Sequence, residues 1–346
     1  MEHATVTRPN NATHNIQSST MTDAPARITP ISALPLIDID GLTSAEPPVR
    51  AGVVAAIRDA CLSKGFFYIT GHGIAPALVE AVLGESRGFF DLPLLERLKV
   101  RRECSICHRG YEPMGGQDLE QTGTPDLKEA FYLGVDLPED DPRVLARKVG
   151  HGPNQWPRGL PGFRGVMEEY FAAMLALSVR LMGAIALSLD LREDHFADFC
   201  AEPVALLRLL HYPQQPTSGP PGGKGCGAHT DWGAITLLLQ DDAGGLQIRD
   251  PVHGWLHAPP LPGTFVVNIG DLIARWTNDR YHSTEHRVIN LSGRDRYSVP
   301  FFFDGNPDSV VACLPGCSDA SNPPRYPATT VAEHTDAMHR ATFVAA

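Results

Sequence analysis

Short β-strand patterns separated by glycine and proline fill the second half of the chain, and they limit its fold more than any other feature. The patterns are rich in β-branched and aromatic residues, which suit a pleated, half-buried surface. Frequent short strands with turn residues between them are typical of a β-sandwich or barrel. Strands are predicted at residues 206–211, 234–240, 246–249, 264–269, 285–290 and 296–303. We therefore predict a mainly β protein with flanking helices and a double-stranded β-helix (jelly-roll) core.

The first half of the chain carries helical patterns instead. Residues 48–64 place apolar side chains at helical spacing before Gly65, and residues 76–90 begin with Pro76 in a first helical turn. Residues 163–189 form the longest pattern and become apolar on more than one side. That distribution predicts a core helix packed on a sheet.

His229 and Asp231 stand two residues apart in an apolar, β-branched stretch, residues 228–241, which predicts a single strand. On a strand, residues two apart share a face, so the imidazole and the carboxylate would project side by side. A second histidine would complete the two-histidine, one-carboxylate face of a non-haem Fe(II) site. His286 is the best candidate, because it lies inside a predicted strand whereas His282 lies in the turn before it.

A pair of carboxylate-binding side chains follows ten residues after His286. Arg296 and Ser298 share a face of their predicted strand and offer a guanidinium fork and a hydroxyl. An iron face with a carboxylate clamp beside it suits 2-oxoglutarate, whose keto-acid end chelates iron while its far carboxylate meets Arg296. Trp232 directly follows Asp231 in the sequence and is expected to pack on the side of the strand opposite to His229 and Asp231.

The order of these motifs resembles the isopenicillin N synthase-like 2-oxoglutarate/Fe(II)-dependent dioxygenases, from Leu36 to about Pro315. Further matching segments are residues 65–74, 109–113, 207–213 and 267–271. The resemblance implies an oxidoreductase that uses Fe(II), O2 and 2-oxoglutarate, releases succinate, and hydroxylates, desaturates or cyclises a small organic molecule of the kind met in secondary metabolism. It also implies that Tyr212 contacts 2-oxoglutarate, and it shows a departure, because Leu210 replaces the family's usual asparagine.

Four residues are candidates for binding the substrate. Arg208 points inward if its run is a strand, and it would hold a substrate carboxylate or serve a structural ion pair. Phe302 shares the face of Arg296 by alternation, and the resemblance implies that it stacks on substrate. Tyr111 and Phe131 match family segments that line the pocket mouth.

Composition narrows the partners of the protein. The formal charge is −11 and the only basic cluster is residues 99–102, which argues against a nucleic-acid substrate. No continuous apolar run reaches the length of a membrane span. Seven cysteines and no visible signal peptide favour reduced thiols in the cytoplasm, and they leave Cys104 and Cys107 as a haem-c-like pattern without the export that it needs. We expect a small-molecule substrate, no nucleic acid, no membrane, and a monomer or weak dimer.

We predict one dioxygenase domain at residues 31–330, between a disordered tail at 1–30 and a C-terminal segment at 331–346. Within it, residues 31–200 form a helical N-terminal part and residues 201–315 form the jelly-roll core with the metal site. One alternative is an Fe(II) oxidase of the same fold that closes a ring without 2-oxoglutarate, although the chain lacks the glutamine that isopenicillin N synthase has near its end. The other is a non-catalytic binding protein on this fold.

Overall fold

A computed structural model describes residues 34–120, 122–215 and 224–342. The predicted tail at residues 1–30 and the last four residues of the C-terminal segment lie outside the described residues. Before residue 200 the strands are β1 (Leu36–Asp38), β2 (Phe66–Thr70), β3 (Gly110–Glu112) and β4 (Glu129–Gly134). The helices of this part are α1 (Pro47–Ser63), α2 (Pro76–Phe90), α3 (Leu94–Arg97), α4 (Pro142–Leu145), α5 (Phe163–Ser188) and α6 (Ala197–Cys200).

The second part of the chain is mostly strands, as predicted. They are β5 (Val204–Tyr212), β6 (Cys226–His229), β7 (Ile235–Gln240), β8 (Leu246–Asp250), β9 (Gly254–His257), β10 (Phe265–Ile269), β11 (His286–Val288), β12 (Arg296–Gly305), β13 (Val310–Val311) and β14 (Thr329–Thr330). Two helices interrupt or follow them, α7 (Asp271–Trp276) and α8 (Val331–Thr342). The predicted C-terminal segment is therefore mainly a helix.

Two sheets build the core of the described structure. The larger has the order β1-β2-β10-β7-β12-β5-β4-β3, and the smaller has the order β6-β11-β8-β9. Apart from the parallel β1–β2 pair, every pairing within these sheets is antiparallel. This arrangement confirms the predicted jelly roll with flanking helices. The part predicted as helical contributes four of the eight strands of the larger sheet.

The larger sheet buries a different set of side chains on each face. One face packs against the long helices, where Met174 and Leu181 of α5 meet Leu237 and Phe301 in a continuous apolar core. The other face looks toward the smaller sheet, and a second cluster there includes Tyr132, Leu210, Tyr212, Cys226 and Val288. Because side chains alternate along a strand, each residue of β4, β5 and β12 belongs either to the helix side or to the interior between the sheets.

Helix α5 is the core helix that its sequence pattern predicts. By length and composition alone it could cross a membrane, yet half of its most apolar stretch is buried within this fold. Met167, Tyr170 and Met174 are fully buried at helical spacing. Packing on the larger sheet therefore accounts for the apolar character of α5.

The single strand predicted for residues 228–241 is wrong. β6 ends at His229 and β7 begins at Ile235, in different sheets. Between them the backbone turns, and the amide of Ala234 donates to the carbonyl of Phe303 at 3.1 Å. Asp231 therefore lies in the crossing between the two sheets, and strand alternation does not explain its position beside His229.

Candidate active site

Three side chains with metal-binding atoms converge at the end of the interior between the sheets. β11 pairs with β6 so that His286 stands opposite His229, and the two rings lie 4.4 Å apart. Oδ1 of Asp231 is 3.7 Å from Nε2 of each histidine. One ligand atom from each of the three residues lies within 4.8 Å of the others. The structure thus brings together the three residues that the sequence predicts as iron ligands.

Hydrogen bonds leave the metal-facing atoms of this cluster available. Nδ1–H of His229 donates to the carbonyl of Gly227 at 2.8 Å, and Nδ1–H of His286 donates to the carbonyl of Thr284 at 3.1 Å. A carbonyl can only accept, so these contacts place a proton on each Nδ1 and direct both Nε2 atoms toward Asp231. Such orientation by a second layer of residues is what a metal site requires.

The carboxylate of Asp231 is oriented in the same way. Its Oδ2 accepts hydrogen bonds from Thr236 Oγ1 at 2.5 Å and from Asn268 Nδ2 at 2.7 Å. Both donors are on strands of the larger sheet, which holds the turn carrying Asp231 in place. Oδ1 remains directed at the two histidines, so all three groups present one atom each to a shared position.

The electrostatics of the cluster favour a cation. Burial opposes ionisation of Asp231, but the two imidazoles and the hydrogen bonds from Asn268 and Thr236 hold its pKa below the usual range. Burial also opposes charge on His229, yet Cys226 and Asp231 raise its pKa to about 9. Burial and the neighbouring His229 lower the pKa of His286 to about 4. The cluster therefore holds one positive charge beside an ionised carboxylate, and a divalent cation would compete with that proton.

Arg296 and Ser298 lie together between the sheets. Neither is more than 1% exposed, and Nη1 of Arg296 donates to Ser298 Oγ at 2.9 Å. Arg296 also donates to Gln240 Oε1 at 3.1 Å and to the carbonyl of Gly244. Among the described residues no carboxylate oxygen lies within the 4.0 Å that defines an ion pair with this guanidinium. A buried guanidinium without a counter-ion is costly, so the site suits a ligand carboxylate.

Tyr212 lies beside this guanidinium. It stands opposite Arg296 in the β5–β12 pairing, and Cζ of Arg296 is 4.7 Å from the centre of its ring. Leu210, which departs from the asparagine that the family resemblance implies, is buried opposite Ser298. The three candidate iron ligands and the Arg296–Ser298–Tyr212 group together fit Fe(II) and 2-oxoglutarate.

A pocket of about 190 Å³ opens next to the cluster, and two of the predicted substrate residues line it together with His229 and Asp231. These are Arg208 and Phe302. The Arg208 guanidinium lies 4.5 Å from the ring of Tyr132 and 5.9 Å from that of Phe302, and it donates to Gln117 Oε1 at 3.1 Å.

The charge of Arg208 is only loosely compensated. The nearest carboxylate, Glu112, is 3.9 Å away. Glu112 already accepts from Arg102 and from the Tyr132 hydroxyl, each at 2.7 Å. The buried Nε of Arg208 has no hydrogen-bond partner among the described residues. Arg208 can therefore accept an anionic ligand group without breaking a tight ion pair.

The prediction that Tyr111 and Phe131 line the pocket mouth is wrong. Both are essentially fully buried on the helix side of the larger sheet. Phe131 packs 4.4 Å from Phe89 of α2, and Tyr111 lies 5.9 Å from the same ring. The reason is alternation, because their neighbours Tyr132 and Glu112 take the pocket side of β4 and β3.

Trp232 also differs from its prediction, because it lines the pocket. Its ring lies 5.1 Å from His339 of α8, and its carbonyl faces Nε2 of His334 at 3.1 Å. The sequence gives no sign that a C-terminal helix packs here.

Asp304 is a further pocket residue that the sequence reasoning missed. Burial and the nearby Asp231 raise the pKa of Asp304 to about 7, although Arg109 acts in the opposite direction. Strand alternation from Phe302 could have found it.

Comparison with known proteins assigns this site to a class. Residues 34–159 match the model of the non-haem dioxygenase in morphine synthesis N-terminal family, and residues 203–305 match the 2OG-Fe(II) oxygenase superfamily. The 2-oxoglutarate-Fe(II) type oxidoreductase hxnY of Emericella nidulans is 41% identical over 90% of this chain and 91% of the relative. The 2-oxoglutarate-dependent dioxygenase citB of Monascus ruber is 44% identical over 80% of this chain and 85% of the relative.

Solved structures that resemble this fold support the same class. Neurospora crassa T7H, determined with alpha-KG and thymine, has a TM-score of 0.78 and 32% identity, covering 89% of this chain and 96% of that one. JOX2, determined with 2OG, Fe and JA, has a TM-score of 0.74 and 30% identity, covering 95% and 94%. The chain belongs to the 2OG-Fe(II) oxygenase superfamily. It is an Fe(II)- and 2-oxoglutarate-dependent dioxygenase that acts on a small molecule.

Proposed function

We propose that His229, Asp231 and His286 hold the Fe(II) ion, and that Arg296, Ser298 and Tyr212 hold 2-oxoglutarate. The observation that carries this assignment is the fully buried Arg296 guanidinium, which has no carboxylate partner among the described residues. Burying a guanidinium without an anion is costly, so the site suits a bound anion. The far carboxylate of 2-oxoglutarate supplies that anion.

Bound iron and 2-oxoglutarate supply the oxidising chemistry: one O2 and one 2-oxoglutarate are consumed, succinate and carbon dioxide are released, and one oxygen atom enters a substrate C–H bond. The chain supplies position and dryness. Thr236 and Asn268 fix Asp231, while carbonyls fix both imidazoles. In the proposed pocket, Phe302 offers a ring face to the substrate and Arg208 a charge to its acidic group.

Desaturation or ring closure would use the same residues, because the outcome depends on which substrate hydrogens lie nearest the metal. A 2-oxoglutarate-independent oxidase could use Arg296 for a substrate carboxylate, so this side chain alone does not separate the two reactions. The similarity to relatives that use 2-oxoglutarate favours the 2-oxoglutarate-dependent reaction. A non-catalytic binding protein would have no use for three oriented metal ligands.

Anaerobic addition of Fe(II) and then 2-oxoglutarate tests the assignment. We expect a visible iron-to-keto-acid charge-transfer band in the wild type, no band in Asp231→Ala, and succinate release once O2 and a substrate are added. His253→Ala is the matched control, because that imidazole is exposed and its hydrogen bond is to Asp250, away from the proposed ligands. A wild-type protein that binds Fe(II) but forms no band would refute the proposed ligand set.

We further propose a single domain at residues 31–330, a monomer or weak dimer, and a cytoplasmic location. A net charge of −11 supports the absence of a nucleic-acid partner. The burial of α5 supports the absence of a membrane anchor in the described residues. Size-exclusion chromatography with light scattering measures the oligomeric state directly.

A further inference from the structure

Asp304 has no part in the roles proposed above, although it lines the same pocket as Arg208. Among the described residues, no group donates a hydrogen bond to its carboxylate, and no lysine, arginine or histidine nitrogen lies within 4.0 Å of it. Arg109, which also lines the pocket, attracts it only from a longer distance. The side chain is partly exposed within the pocket, so its unpartnered carboxylate is available to a ligand.

Asp304 lies beside the turn that carries Asp231. Gly233 follows Asp231 by two residues, and a Cβ atom built on Gly233 would be 2.0 Å from Oδ1 of Asp304. Only a residue without a side chain lets the carboxylate approach this closely. A substrate group bonded to Asp304 would therefore lie next to the proposed iron site.

Arg208 and Asp304 are at opposite ends of the pocket wall. Ser298 stands opposite Leu210 and Phe301 opposite Leu207 in the β5–β12 pairing, so Arg208 stands opposite the Pro300 position. Four residues at about 3.3 Å each separate that position from Asp304, or about 13 Å of strand.

Phe302 lies midway between these two polar groups and on the same face of β12 as Asp304. Its ring is half-buried and lines the pocket. The pocket volume of about 190 Å³ leaves little room beyond one substituted ring. Charge, shape and size thus point to one compact ligand that meets both ends.

We propose that the substrate is a single flat ring, with a carboxylate or carbonyl acceptor that binds Arg208 and an N–H or O–H donor that binds Asp304, stacked on Phe302. This inference rests on the proposed function, because it places the ring beside the iron site. Asp304 acts as a specificity residue: a ring without a donor covers its carboxylate without giving it a hydrogen bond and is rejected.

The test uses three single-ring probes: para-hydroxybenzoate carries both groups, benzoate lacks the donor, and phenol lacks the acid. Each is titrated anaerobically into the Fe(II)·2-oxoglutarate enzyme, and binding is measured from the change in the charge-transfer band and by calorimetry. We expect para-hydroxybenzoate to bind the wild type at least about tenfold more tightly than either of the others, the effect of one charge-assisted hydrogen bond.

Two variants separate the ends of the pocket. Asp304→Leu should no longer bind para-hydroxybenzoate more tightly than benzoate, but should still bind it more tightly than phenol. Arg208→Leu should no longer bind para-hydroxybenzoate more tightly than phenol, but should still bind it more tightly than benzoate. If Asp304→Leu fails to fold, Asp304→Asn takes its place, because its amide oxygen still accepts the O–H and should retain a reduced preference.

Three outcomes overturn the inference while the band still forms with 2-oxoglutarate. These are equal affinity for all three probes, no binding of para-hydroxybenzoate, or an unchanged preference over benzoate in Asp304→Leu. Absence of the band in the wild type is a different failure, because it removes the proposed function and this inference together.

Discussion

Replacing Arg296 by glutamine should weaken 2-oxoglutarate binding strongly while leaving metal binding intact. Arg296 is fully buried, and its contacts to Ser298, Gln240 and Gly244 hold the guanidinium in one orientation. Five N–H groups on the side chain leave two free for a ligand carboxylate after these three contacts. Glutamine keeps the polarity but removes the charge and the two-pronged geometry.

The size of the expected loss in 2-oxoglutarate affinity follows from the burial of the Arg296 side chain. Removing one partner of a buried ion pair costs about 3–5 kcal/mol. Because the glutamine amide retains one hydrogen bond, we expect the lower end, about 3 kcal/mol or roughly a 100-fold rise in the Kd of 2-oxoglutarate. The variant should show the same Fe(II) affinity, since Arg296 contacts none of the three proposed ligands.

Anaerobic titration of the charge-transfer band measures the Kd, and thermal unfolding gives a second readout. At a ligand concentration of about 100 Kd the wild type gains about 2.7 kcal/mol of unfolding free energy, and Arg296→Gln at that concentration should gain well under half of this. Arg294→Gln is the matched control, because Arg294 is 53% exposed and pairs with Asp242 on the surface. If Arg296→Gln bound 2-oxoglutarate as tightly as Arg294→Gln, the clamp would have to lie elsewhere.

Four further substitutions test other parts of the site and fold. Asn268→Leu removes one of the two hydrogen bonds that orient Asp231, so metal competition should show about 10- to 100-fold weaker Fe(II) binding. Phe131→Ala should lower the unfolding free energy by about 3–5 kcal/mol without changing substrate KM. Phe302→Ala should instead raise substrate KM with a smaller loss of unfolding free energy. A change in KM for Phe131→Ala would restore its predicted role at the pocket. Glu129 is buried, yet His211, Tyr111 and Arg97 hold its pKa below the ordinary 4.5. The stability that its charged form contributes is therefore complete above pH 4.5 and is lost as the pH falls through the folded-state pKa. Glu129→Gln should lower the unfolding free energy at pH 7, and its difference from the wild type should shrink when unfolding is measured at lower pH.

The site residues that the sequence predicts correctly are mainly those that follow from the alternation of side chains along a strand. Arg296, Ser298 and Phe302 share one face of β12 as expected, because a strand leaves its residues only two directions. His286 was likewise identified from its place inside a strand. In each case one local rule was sufficient.

Failures arose where the local rule did not apply or was not used. The sequence predicts the proximity of His229 and Asp231 from a shared strand, whereas a turn between the two sheets brings them together. The family resemblance places Tyr111 and Phe131 at the pocket, whereas alternation from Tyr132 puts both on the helix side of the larger sheet. The contact of α8 with Trp232 is a long-range one, which no window of sequence contains.

Buried guanidinium groups explain how this interior is divided between cosubstrate and substrate. Arg102 is matched by Glu112, and Arg208 reaches the same carboxylate only at 3.9 Å. Arg296, on the other side of Tyr212, has no carboxylate partner in the described part of the chain. A buried charge without full compensation is costly, so Arg296 and Arg208 are two separate places that suit anionic groups. The proposed metal ligands adjoin the pocket that holds Arg208, so two different molecules, one at each place, would fit beside a single metal ion.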